Sequence, residues 1–81
     1  MKKEKIINEY VKEMNEGNKH ANVLTYISET FDGAYNLKIT IKSDKHQRER
    51  YNLLLKVCAE NNITVVKTEV ATLSTYVRID E

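Results

Sequence analysis

Proline and tryptophan are absent from this chain of 81 residues, glycine occurs twice and cysteine once, and neither charge sign dominates, with thirteen Lys and Arg against twelve Asp and Glu for a formal net charge of +1. Each shortage excludes something. With Cys58 alone, neither an intrachain disulfide nor a cysteine-rich zinc site can form, which fits a reducing compartment. Gly17 and Gly33 cannot build a P-loop or a glycine-rich dinucleotide-binding turn, so nucleotide hydrolysis of those types is excluded. The charge balance argues against a protein whose main role is coating DNA or RNA, because such domains carry a basic footprint, although a local patch is still allowed. No apolar stretch approaches the roughly 20 residues needed to span a bilayer. The start, Met-Lys-Lys-Glu-Lys, runs into alternately charged sequence without the apolar segment of a signal peptide. A cytoplasmic protein without membrane association is expected.

What is present is an ordinary globular composition. Apolar residues make up 41% of the chain and charged residues 31%, which favours folding over disorder. So short a chain has too little apolar surface for two cores, so residues 1–81 are read as a single domain of marginal stability. Lys outnumbers Arg, and Ile and Asn are frequent, a bias of AT-rich genomes that points to a low-GC bacterium or its phage.

Apolar periodicity sets the elements. Between Lys2 and Met14, the residues Ile6, Ile7, Tyr10, Val11 and Met14 recur at helical spacing with Lys and Glu on the other side. Gly17, between Asn15 and Asn18, suits a C-terminal cap that needs positive φ, and a loop through His20 follows. Asn22 to Thr30 is rich in β-branched and aromatic residues. Ala34 to Lys42 alternates, with Tyr35, Leu37, Ile39 and Ile41 on one face and Asn36, Lys38, Thr40 and Lys42 on the other. Phe31-Asp32-Gly33-Ala34 between them holds the Asp-Gly pair that type I′ hairpins favour, so the two strands are expected to pair antiparallel. Ser43 or Asp44 is expected to cap a second helix, with Gln47 in a capping-box-like relation to Asp44. Its buried stripe is read as Tyr51, Leu54, Leu55 and Cys58, widened by Leu53 and Val57, and Asn61-Asn62 closes it after Glu60. Two short strands, near Ile63 to Ala71 and Thr75 to Asp80, then flank a turn at Thr72 to Ser74.

The resulting order is α-β-β-α-β-β, an α+β chain. Both amphipathic helices are buried most simply on one face of a four-stranded antiparallel sheet. Moving the last strand to the front would give β-α-β-β-α-β, so a permuted ferredoxin-like arrangement is expected, in which the strands of the terminal hairpin are neighbours. A domain-swapped or dimer-completed sheet is the alternative, since so small a sheet has exposed edges.

Candidate chemistry is sparse. His20 and His46 lie near the ends of different elements with no Cys partner and no His-x-x-x-His spacing, so both are read as surface histidines, and no metal or other cofactor is expected. Glu4, Glu9 and Glu13 form a solvated helix face, and nothing places two carboxylates together for acid–base work. Cys58 sits on the apolar stripe, where burial would keep it an inert thiol rather than a nucleophile. The stretch Lys45-His46-Gln47-Arg48-Glu49-Arg50 is the densest in basic residues and opens the second helix, where free amides and the dipole favour anions. Arg48 and Arg50 are therefore candidate contacts for phosphate or an acidic partner surface, against the plainer reading of a solvated helix end. Alternation supplies the other candidate. Lys38 and Lys42 point away from the helices, as do Tyr76 and Arg78 when Val77 and Ile79 point in, and Tyr26 joins them from the first strand. Tyrosines beside Lys and Arg on a sheet can stack bases and hold phosphates, and they equally anchor protein interfaces. The plainer reading is that tyrosine simply suits strands.

The function expected first is that of a small non-enzymatic binding protein acting on a protein partner, able to form a homodimer, of the kind that a phage or mobile element encodes to inhibit a host or defence machine (anti-CRISPR-like). The alternative is a nucleic-acid-binding or regulatory protein using the outer sheet face.

Overall fold

The computed structural model describes residues 2–16, 23–29 and 33–80. They form α1 (Lys2–Asn15), β1 (Val23–Glu29), β2 (Tyr35–Ile41), α2 (Gln47–Glu60), β3 (Val65–Glu69) and β4 (Ser74–Arg78). The strands make one antiparallel sheet in the order β1-β2-β4-β3. This is the spatial order that a permuted ferredoxin-like arrangement requires, with the C-terminal hairpin side by side and β2 and β4 at the centre.

Period-two alternation commits one face of this sheet to the helices. Leu37, Ile39 and Ile41 of β2 join Val77 of β4, Ile79 just beyond it, Ile7 and Val11 from α1, and Leu54 and Cys58 from α2 in a single buried cluster. The intervening residues of β2 and β4 therefore face away from both helices. Tyr35 follows the same alternation but stands at the strand's end, 39% exposed, and adds little to the core it was expected to join.

Two expectations about α2 need correcting. The helix begins at Gln47 behind His46, with no side-chain cap, so neither Ser43 nor Asp44 occupies the capping position. Asp44 Oδ1 instead accepts from the His46 backbone N–H at 2.8 Å, in the short local turn that Asp side chains favour. Gln47 donates its side-chain amide to the carbonyls of Ile41 and Thr72 rather than closing a capping box, and so ties the start of α2 to β2 and to the turn before β4. The buried stripe is also narrower than the sequence implies. It runs Arg50, Leu54, Cys58 along one i, i+4 line, while Leu53 stays 39% exposed and Tyr51, Leu55 and Val57 are partly covered. Asn62 ends the helix in the left-handed region at φ 55, a conformation asparagine tolerates.

β3 is shorter than expected at both ends, Val65–Glu69, whereas β4 starts one residue earlier than expected, at Ser74, and ends sooner, at Arg78. Gly33 has φ +80, in keeping with the positive φ its turn position demands. The expected cap at Gly17, the loop at His20 and the Phe31-Asp32 half of the hairpin turn lie outside the described residues. No described helix is long and apolar enough to cross a membrane.

Candidate functional site

Cross-strand register organises the outer face. Lys38 of β2 stands opposite Tyr26 of β1 on one side and Tyr76 of β4 on the other, and Lys67 of β3 stands opposite Tyr76. A single row across all four strands thus reads Tyr26, Lys38, Tyr76, Lys67, alternating ring and ammonium. The Lys38 Nζ lies 5.5 Å and the Lys67 Nζ 4.7 Å from the centre of the Tyr76 ring, both inside the roughly 6 Å over which a ring attracts a cation. The Tyr76 hydroxyl donates to Glu69 Oε1 at 2.9 Å, and the same oxygen is 4.0 Å from Lys67 Nζ. Tyr76 is consequently fixed at its hydroxyl and flanked by charge along the row. A side-chain hydrogen bond to Tyr76 holds the Lys38 ammonium above the ordinary lysine range.

The neighbouring rows frame this one. On one side Thr40 and Ser74 share a hydroxyl–hydroxyl hydrogen bond of 3.4 Å. On the other, Arg78 stands opposite Asn36 and donates from Nε to Asp80 Oδ1 at 3.2 Å. The second oxygen of Asp80 accepts the Tyr35 backbone N–H at 3.0 Å. That backbone bond, and then Arg78, hold the Asp80 carboxyl below the usual carboxylate range. Asn36 is buried and its Oδ1 has no partner among the described residues, which costs on the order of 1–3 kcal/mol for a buried acceptor. Leu24, Tyr26 and Val66 are each about half exposed and put apolar surface around the charges.

The structure brings Tyr26, Lys38, Tyr76 and Arg78 together on this face. Lys42 is exposed just past the end of β2, beyond the paired register. Arg48 and Arg50 belong to α2, which packs on the opposite face, so the basic helix start and the sheet face are separate surfaces. Arg48 is exposed, with its guanidinium 5.8 Å from the centre of the Tyr51 ring. Arg50 is only 9% exposed, and its Nη1 donates to both oxygens of Asp44, at 2.8 and 2.9 Å. Its charge is spent inside the fold. The backbone N–H of His46 and then Arg50 lower the Asp44 carboxyl accordingly. His46 is exposed, with Nδ1 3.4 Å from Glu49 Oε2. Cys58 is buried and desolvation pushes its thiol up to about 11. His20 lies outside the described residues.

Lys67 and Glu69 escaped the sequence reading. Simple alternation from the buried side of Val65 would turn both toward the helices, but a register shift between Val65 and Lys67 inserts an extra residue and reverses the faces. Thr68 then faces α2, where it accepts from the Tyr51 hydroxyl at 3.3 Å, and the two charged residues face out. The signal was available, since two ionisable side chains spaced at i, i+2 in a strand are seldom both turned into a core.

No protein-family model, no curated protein and no solved structure matches the chain. The chemistry of the face itself therefore carries the functional reading.

Proposed function

We propose that this chain is a small non-enzymatic binding protein that engages a protein partner through the outer sheet face. The row Tyr26, Lys38, Tyr76, Lys67 is the observation that carries the proposal. Large amphipathic rings and cations with apolar neighbours are what interface anchors are made of. The row favours protein over nucleic acid because the cations are already answered locally. Glu69 sits beside Tyr76 and Lys67, and Asp80 takes Arg78. Base stacking needs bare ring faces and phosphate binding needs unopposed charge, whereas Tyr76 already has an ammonium on either side along the row. Lys38, Lys67 and Arg78 still outnumber Glu69 and Asp80, so the partner surface that fits is one that is mainly apolar with a carboxylate to complement the remaining cation. The AT-rich bias supports a source in a bacterium or its phage, the lone Cys58 fits a reducing, cytoplasmic site of action, and the role proposed is that of a phage- or mobile-element-encoded inhibitor of a host or defence machine.

The test is capture from a lysate of the natural host by wild-type protein, by the Tyr76→Ala/Arg78→Ala double variant and by Arg48→Ala. A protein held by wild type and Arg48→Ala but lost by the double variant is the expected result. Capture that the double variant leaves intact overturns the assignment of the face. Fluorescence anisotropy with a labelled single strand provides the opposing outcome: salt-sensitive binding that the double variant abolishes would replace the protein partner by nucleic acid.

A further inference from the structure

The two edges of the sheet are not alike. β3 is guarded by the devices that keep edge strands from pairing, namely a bulge at its start and the outward charges of Lys67 and Glu69. β1 has none of them. It pairs residue for residue with β2 over Val23 to Glu29 without a register shift, and it carries no Pro, Lys or Arg and no charge before its last residue. Leu24, Tyr26 and Ile27 are 47%, 52% and 51% exposed, covering both sides of the strand.

Hydrogen-bond parity shows which main-chain groups of β1 are open. Ile79 N–H donates to the Tyr35 carbonyl at 3.2 Å, so the odd residues of β2 turn their main-chain groups toward the C-terminal strand and the even ones toward β1. Leu24, Tyr26 and Ser28, opposite Thr40, Lys38 and Asn36, complete those bonds, and the main-chain groups of Val23, Thr25, Ile27 and Glu29 face the free edge. Asn15 verifies the parity. Its side-chain amide imitates a neighbouring strand, accepting from Val23 N–H at 3.0 Å and donating to Val23 C=O at 3.0 Å. The N–H and C=O of Thr25 and Ile27 have no such partner among the described residues.

We infer that β1 pairs antiparallel with β1 of a second copy of this chain, about a two-fold axis through Tyr26. Centring on Tyr26 sets Thr25 opposite the partner's Ile27 and Ile27 opposite the partner's Thr25, so the open main-chain groups of Thr25 and Ile27 are satisfied in both copies, and the pairing ends where Asn15 already holds Val23. The strand's one charge, Glu29, falls opposite the partner's Val23 in this register, so no like charges meet at the axis, and an antiparallel strand pair is self-complementary under a two-fold. A peptide from another protein would satisfy the same groups, but nothing in the edge selects its sequence, whereas the axis through Tyr26 gathers three exposed apolar side chains from each copy. The two outer faces then run on as one eight-stranded sheet with the two Tyr26 rings meeting across the axis, so the ring-and-ammonium row is doubled.

Sedimentation velocity across a concentration series and hydrogen exchange test this. A concentration-dependent dimer is expected, in which Thr25 and Ile27 amides gain protection as the dimer forms while Leu24 and Tyr26 amides are protected throughout. Ile27→Lys changes a half-exposed position, keeps the fold by circular dichroism, and should weaken the dimer about tenfold or more by confronting two cations near the axis. Under mild oxidation Tyr26→Cys should form a covalent dimer, because non-hydrogen-bonded partners stand about 4.5 Å apart at Cα, and Leu24→Cys should not. A monomer at millimolar concentration overturns the pairing, as does a dimer indifferent to Ile27→Lys or one that Leu24→Cys crosslinks as readily.

Discussion

Truncating Leu54 to alanine, beside the same change at Leu53, measures how narrowly α2 meets the sheet. Leu54 has no exposed surface, whereas its neighbour is 39% exposed. Removing three buried carbons at about 0.8 kcal/mol each forfeits roughly 2.4 kcal/mol of transfer free energy. The cavity left in the buried cluster to which Leu54 belongs adds to this, for a total of about 2–5 kcal/mol. Leu53 keeps much of its side chain in water, so its truncation should cost less than about 1 kcal/mol. Stability near 0.05–0.15 kcal/mol per residue makes the Leu54 loss a large share of the whole, and at about 4–8 °C per kcal/mol the midpoint falls by on the order of 10 °C or more. Urea unfolding followed by circular dichroism reads both variants, with an unchanged m-value showing that the difference is stability and not compactness. Equal losses at the two positions would refute the narrow stripe of Arg50, Leu54 and Cys58 and restore the broad one that periodicity implied.

Three further outcomes follow from particular groups. Cys58, buried and with its thiol pushed up to about 11, should resist a disulfide reagent at pH 8 in the native protein and react at once in denaturant; rapid native labelling would show that α2 is turned the other way. Asp80 is held below the usual carboxylate range by Tyr35 N–H and Arg78, so its contribution to stability is fully present above about pH 4, the unfolded value, and is lost as pH falls through the lower folded value. An acid titration of the unfolding midpoint should therefore be flatter for Asp80→Asn, and an unchanged acid limb would refute the role of that carboxylate. Gly33→Ala should destabilise by about 1 kcal/mol through its positive φ alone, since nothing lies within 4 Å of an added Cβ; a neutral result would mean that the turn relaxes.

Much of the architecture was legible because its causes are local. The alternation of Leu37, Ile39 and Ile41 with Asn36, Lys38 and Thr40 assigns both faces of β2 from the sequence, and a central strand orients its neighbours. The Asp-Gly pair and the tight spacing at the C-terminal hairpin give the antiparallel pairings, and burying two helical stripes leaves few ways to order four strands. The outward direction of Tyr76 and Arg78 followed from the inward direction of Val77 and Ile79. At β3 the same reasoning fails. A bulge adds a residue to one strand without marking the composition, and every side chain beyond it changes face.

Arg50 shows the other kind of failure. In the sequence it is one cation of a basic helix start, equal to Arg48, yet in the fold it lies on the buried line of α2 and is neutralised by Asp44 from the preceding loop. The sequence by itself determined the elements, their order and the two faces of the central strands, because hydrophobic periodicity and turn chemistry act over a few residues. Only the tertiary structure decided which cations stay available, that Lys67 and Glu69 complete the row around Tyr76, and that β1 is the unguarded edge. Those depend on register between strands distant in the chain and on competition for shared hydrogen-bond partners, neither of which a single segment encodes.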